Sequence, residues 1–122
     1  MKQILVIDDD VNLTEVIKTA LSFYAYNVTV FHNAEDALSY ARTKVPDAMI
    51  IDIVLPGTSG AEMVGLLKKN AVFSKVPVLF LTGLLDYEDQ QEGLVIDGKT
   101  YPVMAKPFKI PELATAIERL VT

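Results

Sequence analysis

Four short apolar runs in this chain each end in a polar residue of a kind that handles phosphate or metal, and no other feature constrains the fold as tightly. Ile4–Ile7 runs into Asp8, Asp9 and Asp10; Ala48–Ile51 into Asp52; Val78–Leu81 into Thr82; and Val103–Ala105 into Lys106 and Pro107. Runs this short, rich in Val, Ile and Leu, read as strands buried on both faces, and parallel strands present all their carboxyl ends on one sheet edge. Acids, a hydroxyl and an amine are therefore expected to converge on a single crevice.

Between these runs the apolar spacing becomes helical. Leu13, Val16, Ile17, Ala20, Leu21 and Tyr24 predict the inner face of a first helix, with Asn12 and Glu15 as a capping-box start. Val28–Phe31 reads as the second strand, and Asn33 as the cap of a helix with Ala37, Leu38 and Ala41 inward. Ser59 and Glu62 start another helix with Met63, Leu66 and Leu67 inward. Ile110-Pro111 opens the last one, whose buried stripe is Leu113, Ala116, Ile117 and Leu120. The stretch from Leu84 to Asp97 has only a weak helical stripe, so an atypical, shortened fourth helix is expected there, followed by a turn or hairpin at Asp97-Gly98. The alternation predicts an α/β fold: a doubly wound, five-stranded parallel sheet of order 2-1-3-4-5, a flavodoxin-like (βα)5 three-layer sandwich. In that order the first and third strands are neighbours at the topological switch point, which sets Asp8, Asp9 and Asp52 side by side.

The chain has 122 residues, 51% of them hydrophobic, so one domain spanning 1–122 is expected. A formal net charge of −5 offers no basic footprint for phosphate backbones, so direct nucleic-acid binding is not expected. The absence of cysteine excludes disulfide and thiol chemistry. No run approaches the length of a membrane span and no secretory leader precedes the first strand, which makes a cytoplasmic location the expectation and membrane partners unexpected.

Clustered carboxylates raise one another's pKa and need a positive charge to hold them together. A hard divalent cation with oxygen ligands suits them, and Mg2+ fits a few carboxylates plus waters and a substrate phosphate. Asp52 then becomes a candidate nucleophile, with the metal and Lys106 neutralising phosphoryl oxygens and the Thr82 hydroxyl hydrogen-bonding one of them.

Over essentially its whole length the chain resembles the receiver domain of two-component response regulators. The matching text is Ile4-Leu5-Val6-Ile7-Asp8-Asp9-Asp10, Asp52-Ile53-Val54-Leu55-Pro56-Gly57 with Gly60, Leu81-Thr82-Gly83, and Lys106-Pro107-Phe108. The resemblance implies that Asp52 accepts a phosphoryl group from a sensor histidine kinase or phosphotransfer protein. It implies Mg2+ held by Asp9, Asp52 and the backbone carbonyl of Val54, with Asp8 acting through a water. Lys106 and Thr82 would sense the phosphoryl group, and Lys106-Pro107 would be a cis peptide. The chain would catalyse only its own phosphoryl transfer and self-dephosphorylation, changing the surface it shows to a protein partner or fused output domain. A homodimer formed on phosphorylation is a further expectation. The alternative is a receiver-like scaffold that binds partners without phosphorylation. An aspartyl-nucleophile phosphatase would carry a second Asp two residues after the nucleophile, where this chain has Val54.

Other residues take quieter readings. Asp10 is expected in a solvated loop entering the first helix, Gly57 and Gly60 serve backbone geometry after Asp52, and His32 is assigned a surface or capping role. Gly93–Thr100 satisfies the pattern G-x-x-x-x-G-K-[ST] of a nucleotide phosphate loop, but Pro102 and Pro107 leave no room for the helix such a loop requires. Receiver domains commonly carry an aromatic residue three positions before the switch lysine. Here that position is Val103, and strand alternation would let Tyr101 stand in for it. Val54 and Leu84, the two positions that flank the phosphoryl group, are apolar, so slow self-dephosphorylation is expected.

Overall fold

The computed structural model describes residues 1–83 and 93–122. In chain order the elements are β1 (Lys2–Ile7), α1 (Val11–Ser22), β2 (Tyr26–Phe31), α2 (Ala34–Ala41), β3 (Ala48–Asp52) and α3 (Gly60–Lys68). Then follow β4 (Val78–Thr82), β5 (Leu94–Ile96), β6 (Lys99–Tyr101), β7 (Val103–Ala105) and α4 (Ile110–Val121). Five strands form one sheet in the order β2-β1-β3-β4-β7, and every pairing in it is parallel. This is the expected doubly wound order, with β7 in the place of the fifth strand. Any helix between Thr82 and β5 falls in residues 84–92, outside the described residues, as does Leu84.

Every residue of β3 and β4 is buried, which is why these strands are continuous apolar runs. Alternate side chains feed two separate layers. Leu5, Ile7, Met49, Ile51 and Phe80 pack with Ala37 and Ala41 of α2 and Met63, Val64 and Leu67 of α3. Ile4, Val6, Ile50, Leu79 and Leu81 pack with Ile17 and Leu21 of α1 and Leu113, Ala114 and Ile117 of α4. A one-residue slip in any strand would exchange these two sets, so the register is held from both faces. It aligns Ile7 with Ile51, Asp52 with Leu81 and Thr82 with Ala105, bringing the strand ends level.

Helix faces depart from expectation in α1 and α3, and in α4 Ala114 is buried with Leu113 and Ile117 while Ala116 and Leu120 are half-buried. In α1 the buried residues are Thr14, Ile17 and Leu21, whereas Val16 is 54% and Tyr24 45% exposed. Thr14 turns inward because its hydroxyl has partners there: it donates to the Val11 carbonyl at 2.9 Å and lies 3.1 Å from His32 Nε2. In α3, Val64 rather than Leu66 completes the buried face. The start of α1 also moves. Asp10, not Asn12, is the N-cap, accepting from the Leu13 amide at 3.0 Å. Asn33 and Ser59 cap α2 and α3 as expected.

The hairpin expected at Asp97-Gly98 is present as the antiparallel β5–β6 pair. Asp97 and Gly98 have φ of 51° and 79°, the left-handed pair that a two-residue hairpin turn of this twist requires. Lys99 and Thr100 are thereby strand residues, and the nucleotide-loop pattern has no helix to complete it. Tyr101 is buried edge-on against Phe80, with ring centroids 5.8 Å apart. Val103 packs on the same cluster, so Tyr101 and Val103 share a face as alternation predicts. Among the described residues no helix is long and apolar enough to cross a membrane.

Candidate functional site

β1, β3, β4 and β7 end level with one another, so the residues that terminate them meet. Asp8 is wholly buried, and its Oδ1 accepts the Asp10 amide at 2.9 Å. Asp9, one residue further, is exposed. Asp52 is 6% exposed, and its Oδ1 accepts the Val54 amide at 3.1 Å. From the far side of β4, Lys106 reaches across so that its Nζ lies 2.6 Å from Asp8 Oδ2 and 3.0 Å from Asp52 Oδ2. Thr82, wholly buried, receives the Lys106 backbone amide on its carbonyl at 2.7 Å, which ties the two strand ends together. The Lys106-Pro107 peptide is cis.

The backbone beneath Asp52 is fixed by a close approach. A Cβ on Gly60 would run into the Asp52 carbonyl oxygen and lie 3.0 Å from the Ile51 side chain, so only glycine lets α3 begin directly on this strand end. The Gly60 amide donates to the Ile53 carbonyl at 2.9 Å, and Gly57 turns the intervening loop at φ 81°. Val54 lies in that loop with its side chain 58% exposed.

Electrostatically the site is short of positive charge. Carboxylate oxygens of Asp8, Asp9 and Asp52 all lie within 4.8 Å of one another, with one ammonium among them. Burial pushes the Asp52 carboxyl above its ordinary value; Lys106 and the Val54 amide pull the other way, and the Asp8 charge adds to the rise. Burial alone would lower Lys106, but its close ion pair with Asp8, its hydrogen bond to Asp52 and the charges of both carboxylates prevail and hold its ammonium above the ordinary value. Asp8 Oδ2 is buried without an aligned hydrogen bond, its close neighbour being the Lys106 ammonium as an ion pair. A buried carboxylate oxygen of this kind beside two further carboxylates is a donor set that fits a hard divalent cation.

The strand ends thus bring Asp8, Asp9, Asp52 and Lys106 into contact range, with Thr82 and Val54 on the adjoining backbone. Asp10 is exposed in the loop entering α1, as expected, and stands outside the carboxylate cluster; its amide holds Asp8 while its carboxylate caps α1. His32 has neither a purely surface nor a capping role, because it is half-buried beside Thr14.

The family model of the response regulator receiver domain matches residues 4–118. The transcriptional regulatory protein TrcR of Mycobacterium tuberculosis is 31% identical over 119 residues, covering 98% of this chain and 45% of that protein. The phosphate regulon transcriptional regulatory protein PhoB of Pseudomonas aeruginosa is 29% identical over 120 residues, covering 98% of this chain and 52% of its own length. The chain spans about half the length of these curated relatives. Among solved structures, the chemotaxis response regulator CheY4 of Vibrio cholerae superposes with a TM-score of 0.86 at 25% identity over 98% of both chains. The receiver domain of the Francisella response regulator 1452 gives a TM-score of 0.85 at 29% identity, covering 99% of this chain and 97% of that one.

Proposed function

This chain belongs to the response regulator receiver domain family, and on that premise we propose that it is a phosphorylation-switched signalling module whose acceptor is Asp52. The observation that carries the reading is the cluster of Asp8, Asp9 and Asp52, two of them buried and Asp9 exposed, served by the single ammonium of Lys106. Mg2+, held by Asp9, Asp52 and the Val54 carbonyl with Asp8 acting through a water, would supply the neutralising charge that lets an anionic phosphoryl donor approach.

An Asp52 carboxylate oxygen attacks phosphorus, forming an O–P bond as the donor's N–P or O–P bond breaks, and the leaving group departs with its electron pair and takes up a proton. Lys106 exchanges part of its attachment to Asp52 for a phosphoryl oxygen, and the Thr82 hydroxyl donates to another. Gly60 keeps the Asp52 backbone still while this happens. The donor is a sensor histidine kinase or phosphotransfer protein. Relatives twice this length are named transcriptional regulators, so the output is a partner or fused region acting on transcription. Catalysis is confined to the domain's own phosphoryl transfer and self-dephosphorylation, and its place is the cytoplasm. No residue favours the scaffold reading, since every acid, the hydroxyl and the lysine are present.

The test is incubation with acetyl phosphate and Mg2+ followed by intact-mass measurement. A single labile phosphoryl addition is expected, lost without Mg2+ and lost in Asp52→Ala. An adduct that persists in Asp52→Ala would overturn the assignment.

A further inference from the structure

Away from the carboxylates, at the edge where strands begin rather than end, lysines collect around a second cavity. It has a volume of about 230 Å3, lies between α3 and the β5–β6 hairpin, and is lined by Lys68, Lys69 and Lys99 together with Gly65, Asp97 and Tyr101. A neighbouring cavity of about 250 Å3 shares Lys68, Lys99 and Tyr101 and adds Lys75, beside Pro77 and Pro102 at the starts of β4 and β7. We propose that this cavity is a second binding site, for a small polyanion of the phosphate class.

Lys68 is the built part of the site. Its half-buried ammonium donates to the Ser74 carbonyl at 3.2 Å and to the Val76 carbonyl, and lies 5.9 Å from the centre of the Tyr101 ring. An ammonium has three donors, and the two carbonyls use two of them. Three lysines face one another here with a single carboxylate, Asp97, in the lining. Among the described residues none of Lys68, Lys69, Lys75 and Lys99 forms an ion pair, whereas Lys106 forms two.

In a chain of formal charge −5, three like charges gathered around a concavity with one carboxylate among them leave an excess of positive charge that favours an anion. Burial, and then the charge of Lys99, depress the proton affinity of Lys68. The volume admits several waters or one compact anion, and a phosphate group offers enough acceptor oxygens to meet three separated ammonium groups. Lys99 comes from the stretch that mimics a nucleotide loop in sequence, but it reaches the cavity through a hairpin instead of a helix-start cradle.

The experiment is an amide-resolved NMR titration of the whole chain with inorganic pyrophosphate, at constant ionic strength and without Mg2+, with citrate in a parallel arm. Saturable shifts are expected in residues 64–69, 74–76 and 96–101, with pyrophosphate binding more tightly than citrate. Lys99→Gln and Lys69→Gln, both at exposed positions, should each weaken binding about tenfold while leaving the spectrum folded. Non-saturating shifts, shifts spread evenly to Lys18 and Lys44, or affinities unchanged in Lys99→Gln would overturn the site. Equal binding of citrate would overturn the phosphate assignment.

Discussion

Lys106 follows the end of β7 and Lys68 ends α3, each with its ammonium half-withdrawn from water, and their proton affinities move in opposite directions. Burial acts against the charge in both. Lys106 meets two carboxylates, which outweigh the loss of water; Lys68 meets two carbonyls, an aromatic face and the repulsion of Lys99, which do not. The two regions therefore differ in what they lack. The strand-end site holds more negative charge than its lysine can neutralise, and on the hairpin side the cavity lining among the described residues holds three lysines against the single carboxylate of Asp97. A buried charge is thus a statement about its neighbours, and the ligand proposed for each region carries the opposite sign.

Removing each lysine in turn is the strongest test of that contrast. Lys106→Met leaves Asp8 and Asp52 facing each other without a cation and should cost about 2 kcal/mol, a value reduced from that of a fully buried pair because the lysine is partly solvated. Added Mg2+ should restore part of the loss. Lys68→Met keeps the apolar stem and should cost less than about 1 kcal/mol. Urea unfolding with and without Mg2+ measures both, and equal costs would break the comparison.

Two glycines sharpen it at the level of backbone. Gly60→Ala forces a Cβ into the Asp52 carbonyl and should cost about 1–3 kcal/mol while slowing phosphorylation. Gly98→Ala meets no atom within 4 Å and incurs only the strain of φ 79°, on the order of 1 kcal/mol, without affecting phosphorylation. Thermal unfolding and the initial rate of acetyl phosphate labelling separate the two.

Smaller effects should appear in the pH dependence without Mg2+. Lys106, raised in the folded state, contributes stability that is present below the ordinary lysine value and lost as pH rises through its folded value. Lys68, lowered, contributes stability that is present above the ordinary lysine value and lost as pH falls through its folded value. Over the alkaline range Lys106→Met should flatten a decline in stability and Lys68→Met should flatten a rise; slopes of the same sign would end the contrast. Asp52, also raised, contributes below the ordinary carboxylate value and loses this as pH rises through its folded value. Asp52→Asn should accordingly stabilise the protein at neutral pH and lose that advantage on acidification. The smallest change expected is in Val54→Asn, where a side chain able to orient water should shorten the lifetime of the phosphorylated form, read by intact mass over time.

The strands could be read from the sequence because burial on both faces leaves a plain signal, and each chemical residue stands at the end of one. The hairpin was legible because Asp97-Gly98 suits a backbone that few other pairs adopt. Helix faces were less so. Periodicity identifies an apolar stripe but does not choose between Val16 and Thr14, a choice made by His32 from the end of β2. Nor does spacing reveal that Gly60 abuts the Asp52 carbonyl, which depends on where α3 lands. The meeting of Lys106 with Asp8 was readable only through the predicted strand order, since the two residues are separated by most of the chain.

That separation has a consequence for synthesis. Asp8 leaves the ribosome well before Lys106, yet they end 2.6 Å apart. A growing chain that has passed Asp52 but not β7 carries its carboxylates without their cation, and β4 still lacks its outer neighbour. The proposed acceptor site would therefore be complete only when the strands from β1 to β7 have emerged and folded, so a product truncated before β7 is expected to take up little phosphoryl group from acetyl phosphate.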